Sequence, residues 1–204
     1  MKSAARAAGS RPPPHPAPAN GRGKGKGPAA APALDIIVES PLWKAQRGIK
    51  ALLQRAIRQA AAMAATNGGE IAIVLTDDSA IRSLNRDWRG KDQPTNVLSF
   101  PAHAPSGSHP RQRGRDRLLG DIVIAYETMA REALAEHTPF RHHLAHLAVH
   151  GFLHLLGHDH AAEAEADAME ALEVAVLARL NVPNPYLTPS PALPRLRGRR
   201  GRGT

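Results

Sequence analysis

Seven of the eleven histidines in this 204-residue chain lie between residues 142 and 160. Two of them, His150 and His154, are four residues apart, so on a helix their side chains are neighbours on one face, with Cβ atoms about 5–6 Å apart. Zinc takes imidazole nitrogens at about 2.0–2.1 Å, and a histidine pair at this spacing commonly supplies two of them. The spacing predicts two metal ligands, against the alternative of two ordinary polar helix residues.

A third ligand is expected from beyond the end of that helix. Gly157 is a residue type that ends helices and lets the backbone reverse, which would carry His160 back towards the pair. His146 is less suitable, because it lies eight residues from His154, about 12 Å along a helix axis; we expect it to support or pack against the site. Three histidines leave a fourth position for water, which is typical of a catalytic zinc.

The residue after the first histidine indicates whether the chain could be a zinc peptidase. The spacing of His150, His154, Gly157 and His160 matches the metzincin peptidases, in which a glutamate directly after the first histidine is the general base. Gly151 occupies that position here. No other base is evident from the spacing, so a metzincin-like zinc peptidase is the less favoured interpretation.

The elements around this segment alternate between strands and helices. This order predicts an α+β (α/β-like) fold, with a single small mixed sheet of about four strands packed by about five helices and a three-histidine metal site at the end of one helix. His142 and His143, near the start of the histidine-rich helix, are expected to face solvent. We expect strands at residues 35–39, 70–76, 96–100 and 118–125, and helices at residues 41–65, 78–87, 126–136, 140–156 and 161–180.

The formal charge of +9 is concentrated at the two ends of the chain. Residues 1–34 contain six Lys/Arg and residues 181–204 contain five, without any acid, so residues 35–180 carry 9 − 11 = −2. The ends are rich in Pro, Ala, Gly and Arg and cannot bury enough apolar surface to fold. We therefore expect disordered basic tails at 1–34 and 182–204 around one domain at 35–181. Such tails can attract RNA, or can simply keep the protein soluble.

Composition excludes several classes of protein. The chain has no cysteine, which rules out disulfides and thiolate metal sites. No apolar run approaches the roughly 20 residues that a membrane helix needs, and the N-terminal stretch lacks the apolar core of a secretory signal. We expect a cytoplasmic protein without a membrane partner.

Two segments resemble a known family. The segment from His150 to His160 looks like the signature of the YbeY family, the bacterial zinc-dependent endoribonucleases of rRNA maturation. Residues 84–101, which include Arg89, are similar to that family's second motif, and residues 119–122 resemble its strand before the end of its long loop. The likeness spans about residues 35–181, in the family's order.

The resemblance implies a single-strand-specific, metal-dependent endoribonuclease that acts in 16S rRNA 3′-end maturation and late-stage 70S ribosome quality control. It implies one Zn²⁺ per chain held by His150, His154 and His160, with a zinc-activated water that hydrolyses the phosphodiester. Arg89 would be the catalytic arginine, because its planar cation can hold phosphate oxygens; a structural salt bridge is its alternative role. The implied partners are the 16S rRNA precursor, the ribosome, and ribosomal or assembly-factor proteins. The alternative function is an RNA-binding ribosome-assembly factor with a structural zinc.

Overall fold

The computed structural model describes residues 31–66, 68–102, 117–158 and 163–187. Within these segments the chain forms one four-stranded mixed sheet, five α-helices and a short 3-10 helix at Pro41–Ala45, which confirms the predicted α+β fold. In chain order the elements are β1 (Ala33–Val38), α1 (Ile49–Met63), β2 (Glu70–Thr76), α2 (Asp78–Arg89), β3 (Val97–Pro101), β4 (Leu118–Ala125), α3 (Tyr126–Ala135), α4 (Phe140–Leu155) and α5 (Glu163–Arg179).

The sheet has the strand order β1-β2-β4-β3. β1 and β4 both run parallel to β2, which lies between them, and β3 pairs antiparallel with β4 at the edge. Apolar residues alternate along the paired strands, and Ile73 of β2 is aligned with Ile36 on one side and Ile122 on the other. Because side chains alternate between the two faces of a strand, this register places isoleucines of three strands on the same face.

Helices cover both faces of the sheet. The larger core lies between one face and α1, α3, α4 and α5, and it includes Leu53, Ile73, Ile122, Phe152 and Leu177, each at most 1% exposed. A smaller core on the opposite face packs α2 against β3 and β4. Full burial of each such side chain stabilises the fold by about 1.5–3 kcal/mol. Between them, the two cores hold the ends of α2 and α4 against β3.

The prediction of one continuous helix at residues 41–65 is wrong. The chain instead forms the 3-10 helix, leaves it at Gln46, and restarts as α1 after Gly48, whose φ of +72° suits glycine. The reason is tertiary. Trp43 is 1% exposed and its indole N–H donates to the Thr76 carbonyl at 2.7 Å, so the first turn is bound to the end of β2 rather than aligned with α1.

The described contacts extend past both expected domain boundaries. β1 begins at Ala33, and after α5 the side chain of Val182 is buried. Residues 1–30 and 188–204 of the expected tails lie outside the described residues. None of the helices within the described segments is both long and apolar enough to cross a membrane.

Candidate metal site

The histidine pair lies in the last two turns of α4. The Nε2 atoms of His150 and His154 are 3.1 Å apart, and the two rings are nearly perpendicular, at 81°, with centroids 4.6 Å apart. This is the expected result of i, i+4 spacing on a regular helix. Both side chains are half-buried, so their ring edges meet at the protein surface rather than in the core.

The other ring nitrogen of each histidine is held by an acceptor. His150 Nδ1 lies 2.8 Å from Glu173 Oε1, and His154 Nδ1 lies 2.9 Å from the carbonyl oxygen of His158. A carbonyl or an ionised carboxylate can only accept, so both Nδ1 atoms carry the hydrogen. In the neutral rings the basic nitrogens are therefore the two Nε2 atoms, and they face each other.

This arrangement fits a metal ion. Two ligand nitrogens at about 2.0–2.1 Å from a tetrahedral ion are about 3.3 Å apart, close to the 3.1 Å between the Nε2 atoms of His150 and His154. Two facing lone pairs repel each other unless a cation, either an extra proton or a metal, lies between them. The Nδ1 partners are of the kind that hold metal-bound imidazoles in position, namely a carboxylate and a backbone carbonyl.

Glu173 of α5 is a buried charge beside the pair. Its side chain has no exposed surface, and its Oε2 lies 3.4 Å from His146 Nε2 and accepts from the Tyr186 hydroxyl. Burial alone would raise the pKa of Glu173, but the hydrogen bonds from His146, His150 and Tyr186 outweigh burial, and the net shift of its pKa is downward. The carboxylate is therefore ionised and can balance positive charge at the histidine pair.

His146, His150 and Glu173 form a second donor set, whose ligand atoms all lie within 4.8 Å of one another and which can hold a metal ion. This set shares His150 with the pair at the end of α4. His150 Nδ1 is hydrogen-bonded to Glu173. We therefore interpret His146 and Glu173 as residues that support the His150 ring, and the Nε2 atoms of His150 and His154 as the atoms that would bind the ion. His146, which was expected to support or pack against the site, is thus itself a member of a donor set that could hold a metal ion, and its Nε2 lies 3.4 Å from Glu173 Oε2.

A cavity of about 470 Å³ joins the histidine pair to Arg89. Arg89 is the last residue of α2, and Gly90 ends that helix with φ +69°. Within the described segments the Arg89 guanidinium makes no ion pair, unlike Arg82 and Arg86 on the same helix. The alternative role of Arg89 in a structural salt bridge therefore has no support among the described residues. The cavity is lined by Arg89, Thr95, Asn96, Val97, Ser99, Pro101, His150, His154, Gly157 and His158.

At Gly151, α4 packs closely against the sheet. A Cβ at this position would lie 3.0 Å from both Ile122 Cγ2 and Ser99 Oγ. The Ser99 hydroxyl also donates to the Gly151 carbonyl at 3.2 Å, which ties β3 to α4. Position 151 therefore faces packed residues of β3 and β4, and a glutamate there would have no room to act as a base.

Not every residue singled out by the sequence can be compared with the structure. The expected third ligand, His160, lies outside the described residues. His143, which was expected to face solvent, is 5% exposed, and its Nε2 lies 3.0 Å from Glu132 Oε2. That expectation was wrong because α3 packs over the start of α4.

Sequence reasoning missed Glu173 and Tyr186. A signal for Glu173 existed, since it continues the buried stripe formed by Met169, Val176 and Leu177 on α5. A charged residue at an apolar helix position is unusual unless it has partners. Tyr186 had no comparable signal, because it lies after the helix in a stretch without periodicity.

The fold and the site together define a class of protein. It is a small α+β protein in which a histidine pair with supported rings, suited to a metal ion, opens on a cavity that also carries an arginine. The combination of a metal site and a cation in one cavity is suited to anionic substrates.

Comparison with known proteins gives the family. The family model described as Endoribonuclease YbeY matches residues 39–181, and the chain belongs to this family. A protein named Endoribonuclease YbeY from Nitrobacter hamburgensis is 51% identical over 178 residues, which covers 86% of this chain and 93% of the relative. One from Bradyrhizobium sp. BTAi1 is 54% identical over 160 residues, covering 76% and 92%. The solution structure of TM1509 from Thermotoga maritima is 21% identical, covers 72% of this chain and 91% of that one, and has a TM-score of 0.45.

Proposed function

We propose that this protein is a zinc-dependent endoribonuclease that cuts single-stranded RNA. The observation that carries the proposal is the pair of Nε2 atoms of His150 and His154, 3.1 Å apart, on a cavity shared with Arg89. Membership of a family whose curated relatives are named endoribonucleases supports RNA as the substrate. His160 is proposed as the third ligand of one Zn²⁺ per chain.

The residues of the chain have separate roles in this proposal. The chemistry that zinc supplies when bound is Lewis acidity, which activates water and polarises a phosphoryl oxygen. Arg89, at the end of α2, binds the scissile phosphate and stabilises the charge that develops on its oxygens. Glu173 and the His158 carbonyl hold the two imidazoles in the tautomer that directs Nε2 into the cavity.

The cellular role is proposed from the family. We propose that the domain at residues 35–181 acts in 16S rRNA 3′-end maturation and late-stage 70S quality control in the cytoplasm. The partners would be the 16S rRNA precursor, the ribosome, and ribosomal or assembly-factor proteins. The basic tails at 1–34 and 182–204 carry +11, which suits attraction to RNA.

The metzincin-like peptidase receives no support from the site. That chemistry needs a carboxylate directly after the first histidine, and a side chain at Gly151 would meet Ile122 and Ser99. The assembly-factor alternative, with a structural zinc, differs from the nuclease in one measurable respect: it binds RNA without cutting it.

The test uses the full-length protein, stripped of metal with a chelator and reloaded with zinc. The substrate is an RNA duplex with a single-stranded 3′ extension, and casein is assayed in parallel. We expect cleavage in the extension. His154→Ala should abolish cleavage, and Arg89→Ala should slow it by about 10²–10³-fold, as the loss of one charge-stabilising donor does.

The matched control is Arg86→Ala. Arg86 lies one turn before Arg89 on α2 and forms an exposed pair with Asp87, so this variant should cleave like wild type. Each variant is first checked for folding by circular dichroism. The nuclease proposal is refuted if the zinc-loaded wild type leaves the RNA intact, or if His154→Ala cuts it equally well. RNA binding without any cleavage would favour the assembly factor. Zinc-dependent proteolysis of casein would favour the peptidase.

A further inference from the structure

The segment after α5 returns to the histidine site. Tyr186 lies 13 residues beyond Glu173, yet its hydroxyl donates to Glu173 Oε2 and its ring packs edge-on against His146, with centroids 5.7 Å apart and planes at 81°. It also lies five residues past the last residue, 181, that the family model matches.

The local geometry holds Tyr186 in this position. Val182 is buried and its N–H donates to the Leu177 carbonyl at 3.0 Å, so the chain stays against the end of α5. The side chain of Asn184 then accepts from the Tyr186 N–H at 2.9 Å, and Pro185 between them restricts the backbone. The tyrosine is thus presented by an ordered turn rather than by a free end.

Glu173 uses its two oxygens for different partners. Oε1 faces His150 Nδ1 at 2.8 Å, and Oε2 faces the Tyr186 hydroxyl and, at 3.4 Å, His146. A carboxylate with no exposed surface needs such donors, because water cannot reach it. The contact with Tyr186 thus engages Oε2 while Oε1 faces His150.

The phenol is suited to this task because it remains a donor. Burial and the neighbouring Glu173 carboxylate both raise the pKa of Tyr186 above its ordinary value. The hydroxyl therefore keeps its proton throughout the physiological pH range. Phenylalanine at this position would keep the ring contact with His146 and lose only the hydrogen bond.

We propose that Tyr186 is a positioning residue of the metal site: its hydroxyl holds the Glu173 carboxylate that orients the His150 ring, which makes the segment after α5 a working part of the site. The inference rests on the proposed function, because it assumes that the His150 and His154 pair binds zinc. Its predicted consequence is a change in metal affinity rather than in substrate binding.

The experiment measures the zinc dissociation constant of the full-length protein by competition with a chromophoric chelator, using zinc chloride alone. Tyr186→Phe is expected to weaken zinc binding by up to about 10-fold, which is no more than the lower end of the 10–100-fold range for loss of a ligand's direct partner, because Glu173 itself remains. Tyr126→Phe is the matched control, since it removes a hydroxyl that accepts from Gln46 in a distant part of the core. It should bind zinc like wild type, and thermal unfolding must show that both variants are folded.

A double-mutant cycle tests the route through Glu173. If Tyr186 acts through that carboxylate, the two changes are not additive, and Tyr186→Phe should cost less than twofold in a Glu173→Gln background. The same full loss in both backgrounds would overturn the proposal. If Glu173→Gln does not fold, a second measurement follows the His150 Nδ1–H proton by NMR in the metal-free protein. Faster exchange of this proton with water in Tyr186→Phe than in wild type supports the proposal. An unchanged exchange rate overturns it.

The two possible failures are distinguishable. A wild type that does not bind zinc refutes the proposed metal site, and this inference with it. A wild type that binds zinc tightly, together with a folded Tyr186→Phe of equal affinity, refutes only the role of Tyr186. In addition, raising the zinc concentration should restore RNA cleavage by Tyr186→Phe and should not restore cleavage by His154→Ala.

Discussion

Gly151 lies between the two histidines of the pair in sequence and faces Ser99 of β3 and Ile122 of β4. Its lack of a side chain allows α4 to approach β3 and β4, where Ile122 is fully buried and Ser99 bonds to the glycine's own carbonyl. The position of His150, one residue earlier, follows from this close packing. The same glycine that stands in place of the peptidase base also allows the helix that carries the histidine pair to pack closely against the sheet.

Substitution at this glycine should destabilise the protein. Gly151→Ala is expected to lower the free energy of unfolding by about 1 kcal/mol, since overpacking costs about 1–3 kcal/mol and alanine regains about 1 kcal/mol of helix propensity. Gly151→Glu should cost clearly more. Urea unfolding measures both, and Ala171→Gly on the exposed face of α5 calibrates the propensity difference. A Gly151→Ala variant more stable than wild type would contradict the packing argument.

At the level of elements, α4 is joined to its neighbours by polar contacts as well as by the core. His143 near its start contacts Glu132 of α3, and Ser99 of β3 contacts its last turns. Asn96, just before β3, also donates to Glu132 Oε2, at 2.8 Å. Glu132 of α3 therefore links α4 to the segment before β3, and both of these line the cavity.

This link should make stability depend on pH. Burial alone would raise the pKa of Glu132, but the hydrogen bonds from His143 and Asn96 outweigh it and leave the pKa below its ordinary value of 4.5. A carboxyl group with a lowered folded pKa adds stability above the unfolded pKa and loses it as the pH falls. The stability difference between wild type and Glu132→Gln should therefore be largest above about pH 4.5 and shrink below it.

Urea unfolding between about pH 3.5 and pH 6.5 measures this difference. Glu136→Gln is the control, because it removes a more exposed carboxylate that lies 3.8 Å from the same histidine, where solvent screens the interaction. If the gap between wild type and Glu132→Gln keeps its size across this pH range, Glu132 does not carry the predicted linkage.

At the level of the whole molecule, the site belongs to no single element. The arginine comes from the end of α2, the cavity wall from β3, the histidine pair from α4, the buried carboxylate from α5, and the tyrosine from the segment that follows. The sheet holds the first three in place, because β3 pairs with β4 at the edge over which α4 packs. Metal binding should therefore stabilise the fold as a whole.

Zinc should raise the melting temperature of the full-length protein. Free zinc at about 100 times the dissociation constant adds about 2.7 kcal/mol of stability, which in a protein of this size corresponds to a shift of about 5–10 °C. Calorimetry with and without zinc, after treatment with a chelator, measures the shift. His154→Ala should show little of it, and an equal shift in both proteins would place zinc elsewhere.

The sequence alone determined the local features. The extent of β4 at 118–125 and the proximity of His150 to His154 depend on neighbours a few residues away, and they could be predicted for that reason. The identity of the family was also present in the sequence, because its motifs are contiguous segments. Arg89 could be singled out only through such a motif.

Only the tertiary structure decided which distant residues meet. Trp43 broke the expected helix at 41–65 by binding to the end of β2, and α3 covered His143. Glu173 contacts His150 although the two residues are 23 positions apart in the chain. Tyr186 in turn contacts Glu173 across 13 positions. These contacts depend on how α5 and its following turn pack against α4, and no periodicity within a single segment encodes that packing.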